Sequence, residues 1–185
     1  MNEFKIYSRE SPMSRKHFSQ LFKIMEYSFP KNEHRNFEEQ FGEYKQPFFR
    51  TLTLEKDDKI AGFMNYWELP GFVYLEHFAV IEEMRHCGLG RTMIAKLRET
   101  AKGDPIIIEV EPADTSEYAV HRIEFYKRLG FCENSYEYYQ PPYNIGEKPL
   151  RLMIMSSPAP LSSSEFIHIR NMIYRDAYRA DFSTK

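Results

Sequence analysis

Hydrophobic and polar residues change their spacing along the chain, and each spacing predicts a type of secondary structure. Residues 3–9 alternate between apolar and polar side chains, which is typical of a strand. Apolar residues then recur at helical spacing behind Ser14, a residue suited to cap a helix, and Pro30 ends this predicted helix. Residues 37–44 predict a second, short helix. Residues 49–80 predict three strands separated by turns at an Asp-Asp pair and a Pro-Gly pair.

The second half of the chain predicts two helices and three strands. They are a helix that begins at Leu89, a strand at 106–111, a helix at 115–130 and two final strands at 131–139 and 150–156. The strand at 106–111, IIIEVE, is almost continuously apolar, as expected where both faces of a sheet are covered. The order β-α-α-β-β-β-α-β-α-β-β predicts an α/β fold with a mixed sheet flanked by helices.

The chain changes character after residue 156. Residues 157–164, SPAPLSSS, are typical of a linker, and a helix is predicted to follow because Ser162 and Glu165 have the spacing of a capping box. We therefore predict one compact domain over 1–156 and a linker with a helical extension over 157–185. The apolar stripe of this helix allows two interpretations, docking on its own domain or contact with a second copy in a homodimer.

Composition narrows the classes of function. The chain has 185 residues and a net charge of −2, so no strong field attracts nucleic acid or an anionic membrane, and we expect neither as a partner. No apolar run resembles a secretory signal or a membrane span. Cys87 and Cys132 are the only cysteines, which form no disulfide framework and favour a cytoplasmic location.

The stretch RHCGLGRTMIAKL, residues 85–97, places glycines and positive charge where a helix is predicted to begin. A helix N-terminus exposes unpaired N–H groups and carries a partial positive charge. Glycines before it allow those N–H groups to approach a diphosphate, although such a turn is often only a tight connection. The spacing of a P-loop is absent, and a dinucleotide fingerprint would need glycine at residue 93, which is methionine.

The flanking residues resemble the Gcn5-related N-acetyltransferase (GNAT) family. Residues 85–90, RHCGLG, match the family's acetyl-CoA motif R/Q-x-x-G-x-G/A after a strand. Residues 122–131, RIEFYKRLGF, are similar to its F/L-Y-x-x-x-G-F motif, with Tyr126, Gly130 and Phe131 in place. The resemblance implies the acyl-CoA N-acyltransferase fold, a mostly antiparallel twisted sheet splayed between its fourth and fifth strands, and acetyl-CoA (coenzyme A) as cofactor.

The resemblance also assigns residues to the cofactor. Backbone at Phe78, Ala79 and Val80 would pair with the pantetheine arm, and Tyr126 would lie beside it. The diphosphate would bind the main-chain amides of a run that comprises Arg85, His86, Cys87, Gly88, Leu89, Gly90, Arg91 and Thr92. No metal is expected, because a single His-Cys pair lacks the ligands of a structural zinc site.

Acetyl transfer to an amine needs a base for the amine and an acid for the leaving sulfur. Tyr126 matches the family's general acid, and Ala119 stands where the family often has Asn one turn into the same helix. Glu109 matches the base of some members, although residues 112–116 look like an insertion between it and Tyr126. Glu76 on the fourth strand is the competitor. Three more candidates for the base stay open: Glu111, His77 and a chain of water molecules.

The resemblance predicts an acyltransferase that moves an acetyl group from acetyl-CoA to a primary amine by direct attack. We favour a small-molecule amine over a protein or peptide amine, given the weak net charge. Four tyrosines near the final strands either wall an acceptor pocket or form a half-exposed sheet edge; they are Tyr136, Tyr138, Tyr139 and Tyr143. The alternative function is a regulatory module that binds acyl-CoA without turnover.

Overall fold

The computed structural model describes residues 2–144 and 146–180, and the chain divides into two compact units, Met1–Asp104 and Pro105–Lys185. The first unit contains β1 (Asn2–Tyr7), α1 (Arg15–Ser28), α2 (Phe37–Gly42), β2 (Phe49–Lys56), β3 (Lys59–Leu69), β4 (Phe72–Val80) and α3 (Leu89–Ala101). The second contains β5 (Ile106–Val110), α4 (Glu117–Arg128), β6 (Cys132–Glu133), β7 (Tyr138–Gln140), β8 (Leu150–Ser157) and α5 (Ser163–Ile173). Within the described part of the chain, every helix is too short or too polar to span a membrane.

The four strands of the first unit form an antiparallel sheet in the order β1-β2-β3-β4. Both predicted turns are confirmed. Asp57 and Asp58 have φ angles of 51° and 60°, and Gly71 has a φ of 87°, so each turn uses the left-handed conformation that tight hairpins need. α1 begins as predicted, because the Ser14 hydroxyl accepts a hydrogen bond from the His17 amide.

A bulge interrupts the pairing of β3 and β4 at Glu76. Asn65 lies opposite His77, whereas the next residue of β3, Tyr66, lies opposite Leu75, so Glu76 is the extra residue. Simple alternation predicts that Glu76 and His77 point in opposite directions. The bulge breaks that alternation, and both side chains are buried, with Glu76 Oε2 3.9 Å from His77 Nδ1.

A second buried carboxylate, Glu55, lies near the end of β2 and is held by four side chains. Lys5 Nζ lies 2.9 Å from it, the Tyr7 hydroxyl 3.0 Å, His17 Nε2 2.9 Å and the Thr53 hydroxyl 2.7 Å. Burial disfavours the charged form, but the hydrogen bonds outweigh it and lower the pKa of Glu55 from 4.5 to about 2. The carboxylate therefore ties β1 and α1 to β2.

We expect the stability of the chain to depend on Glu55 in acid. Because the folded pKa is the lower one, the stabilisation is fully present above pH 4.5 and is lost as the pH falls towards 2. Glu55→Gln should therefore lower the free energy of unfolding at pH 7, and the difference from the parent chain should shrink as the pH falls. Urea unfolding between pH 7 and 2.5 measures this. A difference that stays constant with pH would contradict it.

β8 organises the sheet of the second unit, since β5, β6 and β7 all pair with it in antiparallel orientation. The prediction of one strand over 131–139 is wrong, because Asn134 divides it. Its side-chain amide donates to the Ile154 carbonyl and the Ser156 hydroxyl, and its oxygen accepts from the Leu161 amide. The Asn134 backbone amide also donates to the Ile154 carbonyl at 3.1 Å, so the side chain adds bonds at the point where β6 ends, and β7 begins only at Tyr138.

α5 packs on residues of its own unit. It begins with the predicted capping box, in which Ser162 and Glu165 bond reciprocally. Its apolar stripe is buried, and the ring of Phe166 stacks on Tyr136 with centroids 4.5 Å apart. The Tyr136 hydroxyl also donates to the Leu161 carbonyl at 3.0 Å. The chain thus covers the stripe itself, which is the first of the two interpretations that the sequence allowed.

Candidate active site

The start of α3 lacks a side-chain cap. Side chains cap α1, α2, α4 and α5, whereas the residue before α3 is Gly88, which has no side chain to do so. The first bond back from the helix is from the Thr92 amide to the Gly88 carbonyl, at 3.1 Å. The amides of Leu89, Gly90 and Arg91 precede it and point out of the helix end. This arrangement fits a diphosphate.

The backbone conformation directly before α3 explains why residue 88 is a glycine. Gly88 has a φ of +78°, which β-carbon-bearing residues rarely adopt, and a β-carbon there would meet no atom within 4 Å. The turn is thus open to an approaching ligand. His86 also has a positive φ, 61°, and it is exposed, as are Cys87 and Arg85. The guanidinium of Arg85 is fixed by a bond from its Nε to the Val80 carbonyl at 3.1 Å.

Close packing fixes α3 against the sheet of its unit. Gly62 on β3 leaves the space, since a β-carbon there would lie 2.8 Å from the sulfur of Met93 and 3.0 Å from the carbonyl of Ala79. Ala79 is buried, while Phe78 and Val80 on either side are partly exposed. The residues assigned to the pantetheine arm therefore lie at the end of β4, directly before the turn that leads to α3.

Glu109, on β5, accepts two phenolic hydrogen bonds. The Tyr138 hydroxyl on β7 donates to Oε1, and the Tyr178 hydroxyl donates to Oε2 at 2.7 Å. Tyr178 lies in a π-helical turn, Tyr174–Tyr178, that continues α5. Both oxygens of the predicted base are thus oriented by phenols from two separate elements.

The phenols around Glu109 form a connected cluster, which we call the tyrosine cluster: Tyr138, Tyr143, Tyr174 and Tyr178. The Tyr143 hydroxyl lies 3.4 Å from that of Tyr178, and the Tyr174 hydroxyl donates to the Tyr139 carbonyl. Burial and the nearby Glu109 raise the pKa of Tyr138 well above 10 and that of Tyr174 to about 12. These phenols stay protonated at neutral pH and act as donors.

The sequence indicated Tyr138 and Tyr143 as one of two alternatives but missed Tyr174 and Tyr178. The signal was present, since Tyr174 and Tyr178 are four residues apart and project from neighbouring positions of one helical face. The sequence did not show which residues this helical face would contact. Of the other tyrosines singled out, Tyr136 packs on α5 and Tyr139 is exposed, with its hydroxyl on Glu137.

Tyr126, the predicted acid, lies near the end of α4. It is only 7% exposed, and its ring contacts Phe125 and Phe131 with centroids 5.2 and 5.4 Å away. Burial raises the pKa of Tyr126 to about 12. α4 begins after Ser116, whose hydroxyl accepts a hydrogen bond from the amide of the buried Ala119. The side chain is therefore a protonated phenol throughout the neutral range.

Glu76, the competing base, is committed to a buried ion network in the first unit. Arg35 Nη1 lies 2.7 Å from its Oε1, and the Trp67 indole donates to its Oε2 at 2.9 Å. Arg35 Nε also pairs with Glu43 at 3.1 Å, and all three charged side chains are 5% exposed or less. Burial disfavours the carboxylate of Glu76, but Arg35 outweighs it and lowers its pKa. This is the environment of a structural group.

Glu111 and His77, which the sequence also left open as bases, have partners of their own. Glu111 pairs with Arg122 of α4 at 3.1 Å. His77 Nε2 donates to the Glu33 carbonyl at 2.9 Å. Burial lowers the pKa of His77, although Glu76 opposes that effect, so its ring is neutral at neutral pH. Glu109, by contrast, accepts hydrogen bonds from the phenols of Tyr138 and Tyr178.

Comparison with known proteins identifies the family to which the chain belongs. The model of the acetyltransferase (GNAT) family matches residues 16–131, which is more than half of the chain, so the chain belongs to this family. The predicted family is confirmed. Its members are acyltransferases that use acetyl-CoA, the enzyme class and cofactor predicted from the sequence.

A curated relative and several solved structures are similar to the chain. "Putative acetyltransferase YjbC" of Bacillus subtilis (strain 168) is 32% identical over 83 residues, which cover 44% of this chain and 42% of that protein. The chain thus spans less than half the length of this curated relative. A solved protein from Bacteroides thetaiotaomicron, titled "Putative acetyltransferase from GNAT family", has 29% identity and a TM-score of 0.84, covering 97% of this chain and 99% of its own.

Two more distant structures show the fold alone. The ribosomal-protein-S18-alanine N-acetyltransferase from Escherichia coli has 21% identity and a TM-score of 0.59, covering 87% of this chain and 97% of its own. Arabidopsis thaliana Naa50, solved with the bisubstrate analogue CoA-Ac-MVNAL, has 18% identity and a TM-score of 0.59, covering 83% and 97%. The predicted fold class, an α/β acyl-CoA N-acyltransferase fold, is confirmed.

Proposed function

We propose that the chain is an N-acetyltransferase that moves an acetyl group from acetyl-CoA to a primary amine by direct attack. The observation that carries this proposal is the uncapped, glycine-led start of α3 in a chain of the GNAT family. The amides of Leu89, Gly90 and Arg91 would bind the diphosphate, with Arg85 adding charge. The pantetheine arm would meet Phe78, Ala79 and Val80, as the resemblance implies.

Acid and base are assigned within the second unit. When bound, acetyl-CoA supplies an acetyl group activated as a thioester. Glu109 takes a proton from the acceptor ammonium group, directly or through water, because an alkylamine with a pKa near 10.4 is otherwise protonated at neutral pH. As the new N–C bond forms and the C–S bond breaks, Tyr126 gives its phenolic proton to the sulfur. The Tyr126 phenolate then regains a proton as the new amide nitrogen loses its second one, directly or through water, and Glu109 releases its own proton to solvent.

A small-molecule amine is the acceptor that we favour. The chain's net charge of −2 gives no strong attraction to a charged macromolecule, which supports a small acceptor over a peptide. The E. coli and Arabidopsis neighbours carry titles that name a protein acceptor and a peptide-like analogue, so peptide amines form the second arm of the test. A cytoplasmic location stays a prediction from the two cysteines.

Thiol release from acetyl-CoA over panels of small amines and N-terminal peptides tests the proposal. We expect release with members of one panel. Calorimetric binding of acetyl-CoA without acetylation of either panel would instead support the regulatory module. Failure to bind acetyl-CoA at millimolar concentration would contradict both functions.

Replacing Tyr126 with Phe tests the acid. Because the pKa of Tyr126 is raised to about 12, the phenol is protonated up to that pH, so its loss should reduce kcat by a similar factor at every pH from 6 to 10. The expected factor is about 10². Binding of acetyl-CoA, measured by calorimetry, should remain, since the ring stays in place. A variant with the full rate across this pH range would show that Tyr126 is not the proton donor.

A further inference from the structure

The π-helical turn that continues α5 contacts the proposed base directly. The hydroxyl of Tyr178 reaches Glu109 at 2.7 Å although the two residues are 69 positions apart in the chain. Tyr138 reaches the other carboxylate oxygen from β7, 29 positions away. A segment that the sequence predicts as an extension therefore contributes a direct partner to the proposed base.

The position of Tyr178 is fixed on both sides. Before it, the buried stripe of α5 anchors the helix, and the Tyr174 hydroxyl donates to the Tyr139 carbonyl. After it, Arg179 adopts a left-handed φ of 52°, and the Ala180 amide closes the turn on the Tyr174 carbonyl at 3.0 Å. A π-helical turn is uncommon and occurs frequently at functional sites. This turn holds the Tyr178 ring in contact with Tyr143, with centroids 5.1 Å apart.

Hydrogen bonds donated to a carboxylate affect both its protonation and its orientation. They stabilise its charged form relative to the acid, and they fix the plane of the group. Among residues 2–144 and 146–180, the titratable groups placed against Glu109 include phenols from two elements, Tyr138 on β7 and Tyr174 and Tyr178 on the turn, with Tyr143 behind Tyr178.

We propose that Tyr178 is a positioning residue for acetyl transfer, which holds the Glu109 carboxylate ionised and oriented from the C-terminal turn. The proposal rests on the proposed function, in which Glu109 is the base. It makes residues 174–180 part of the catalytic unit, where they act through Glu109 without contacting the transferred group. The role of helix α5 is then to place this turn beside Glu109.

Tyr178→Phe tests the proposal, because it removes one hydroxyl and keeps the ring. The acidic limb of the pH profile of kcat/KM should move to higher pH by about one unit, since a hydrogen bond to the charged form is lost. The plateau of kcat/KM should fall by about tenfold, the scale of one hydrogen bond to a charged group. The KM for acetyl-CoA should change by less than about twofold, because the proposed acetyl-CoA site uses other residues.

Tyr136→Phe is the matched control. It removes a phenol that also anchors α5, through the Leu161 carbonyl, but that bonds away from Glu109. The control should leave the acidic limb in place. An equal shift in Tyr136→Phe and Tyr178→Phe would show that looser docking of α5 is the cause and would overturn the proposal. Melting temperatures of both variants report that docking directly.

The outcomes separate this inference from the proposed function. If the parent chain releases thiol and Tyr178→Phe keeps the pH profile of the parent chain, only the positioning role of Tyr178 is overturned. No release by the parent chain with either amine panel overturns both. If Tyr178→Phe does not fold, Tyr143→Phe replaces it, because it removes the phenol that bonds to Tyr178. It should give a smaller shift in the same direction, and no shift would overturn the proposal.

Discussion

Replacing Glu109 with Gln is expected to lower kcat/KM by about 10² to 10⁴ at neutral pH, the contribution of a positioned base. Gln has nearly the shape of Glu, and its carbonyl oxygen still accepts a phenolic hydrogen bond from Tyr138 or Tyr178. It has no carboxylate to take the proton of the acceptor. Thiol release at saturating acetyl-CoA measures the loss, and calorimetry should show that acetyl-CoA still binds.

Glu111→Gln is the control for this prediction. Glu111 is on the same segment but pairs with Arg122 at the surface of α4, with 31% and 45% of the two side chains exposed. Its replacement should change kcat/KM by less than about threefold, as for an exposed ion pair. If Glu109→Gln keeps the parent rate and Glu111→Gln loses it, the base has been assigned to the wrong carboxylate. A raised rate in Glu109→Gln at high pH would instead indicate that the free amine bypasses the base.

Replacing Arg35 with Met is expected to lower the free energy of unfolding by about 3–5 kcal/mol, because it leaves buried carboxylates without their counter-charge. Arg35 is 5% exposed and lies between Glu43 and Glu76, which are 3% and 0% exposed. Met fills a similar volume, so loss of charge rather than a cavity is tested. Urea unfolding at pH 7, followed by circular dichroism, measures the change.

The control for this change is Arg15→Met. Arg15 also pairs with a glutamate, Glu38, but the two side chains are 57% and 69% exposed, so water replaces the lost partner and the change should be much smaller. Adding Glu76→Gln to Arg35→Met should recover part of the stability, since one buried charge is neutralised. Equal effects of Arg35→Met and Arg15→Met would mean that the buried network is not structural.

The choice between Glu109 and Glu76 shows where prediction from the sequence ended. Each glutamate occurs in an apolar strand, and each was a reasonable base. Their partners differ, and those partners are distant in the chain: Arg35 is 41 positions from Glu76, and Tyr178 is 69 positions from Glu109. No local spacing indicates which charged or phenolic side chain a carboxylate will meet after folding.

The bulge at Glu76 and the break at Asn134 have the same origin. Period-two alternation predicted the strands β4 and 131–139, but it does not count the residue that a bulge adds, nor the hydrogen bonds by which a side chain holds a strand end to its neighbour. Likewise, the stripe of α5 was visible in the sequence, whereas the surface that it covers was not. Residues 157–185 were therefore predicted as a linker with a helical extension, although the turn Tyr174–Tyr178 contacts Glu109.

The sequence by itself determined the local features, which are the caps at Ser14 and Ser162, the glycine before α3, and the two motifs that identify the family. Each depends on residues within a few positions of one another, whose backbone conformation and hydrogen bonds are set locally. The tertiary structure decided which carboxylate is neutralised by an arginine and which is held by phenols. That depends on burial and on partners from remote segments, because the free energy of a charged group is set by what surrounds it in space.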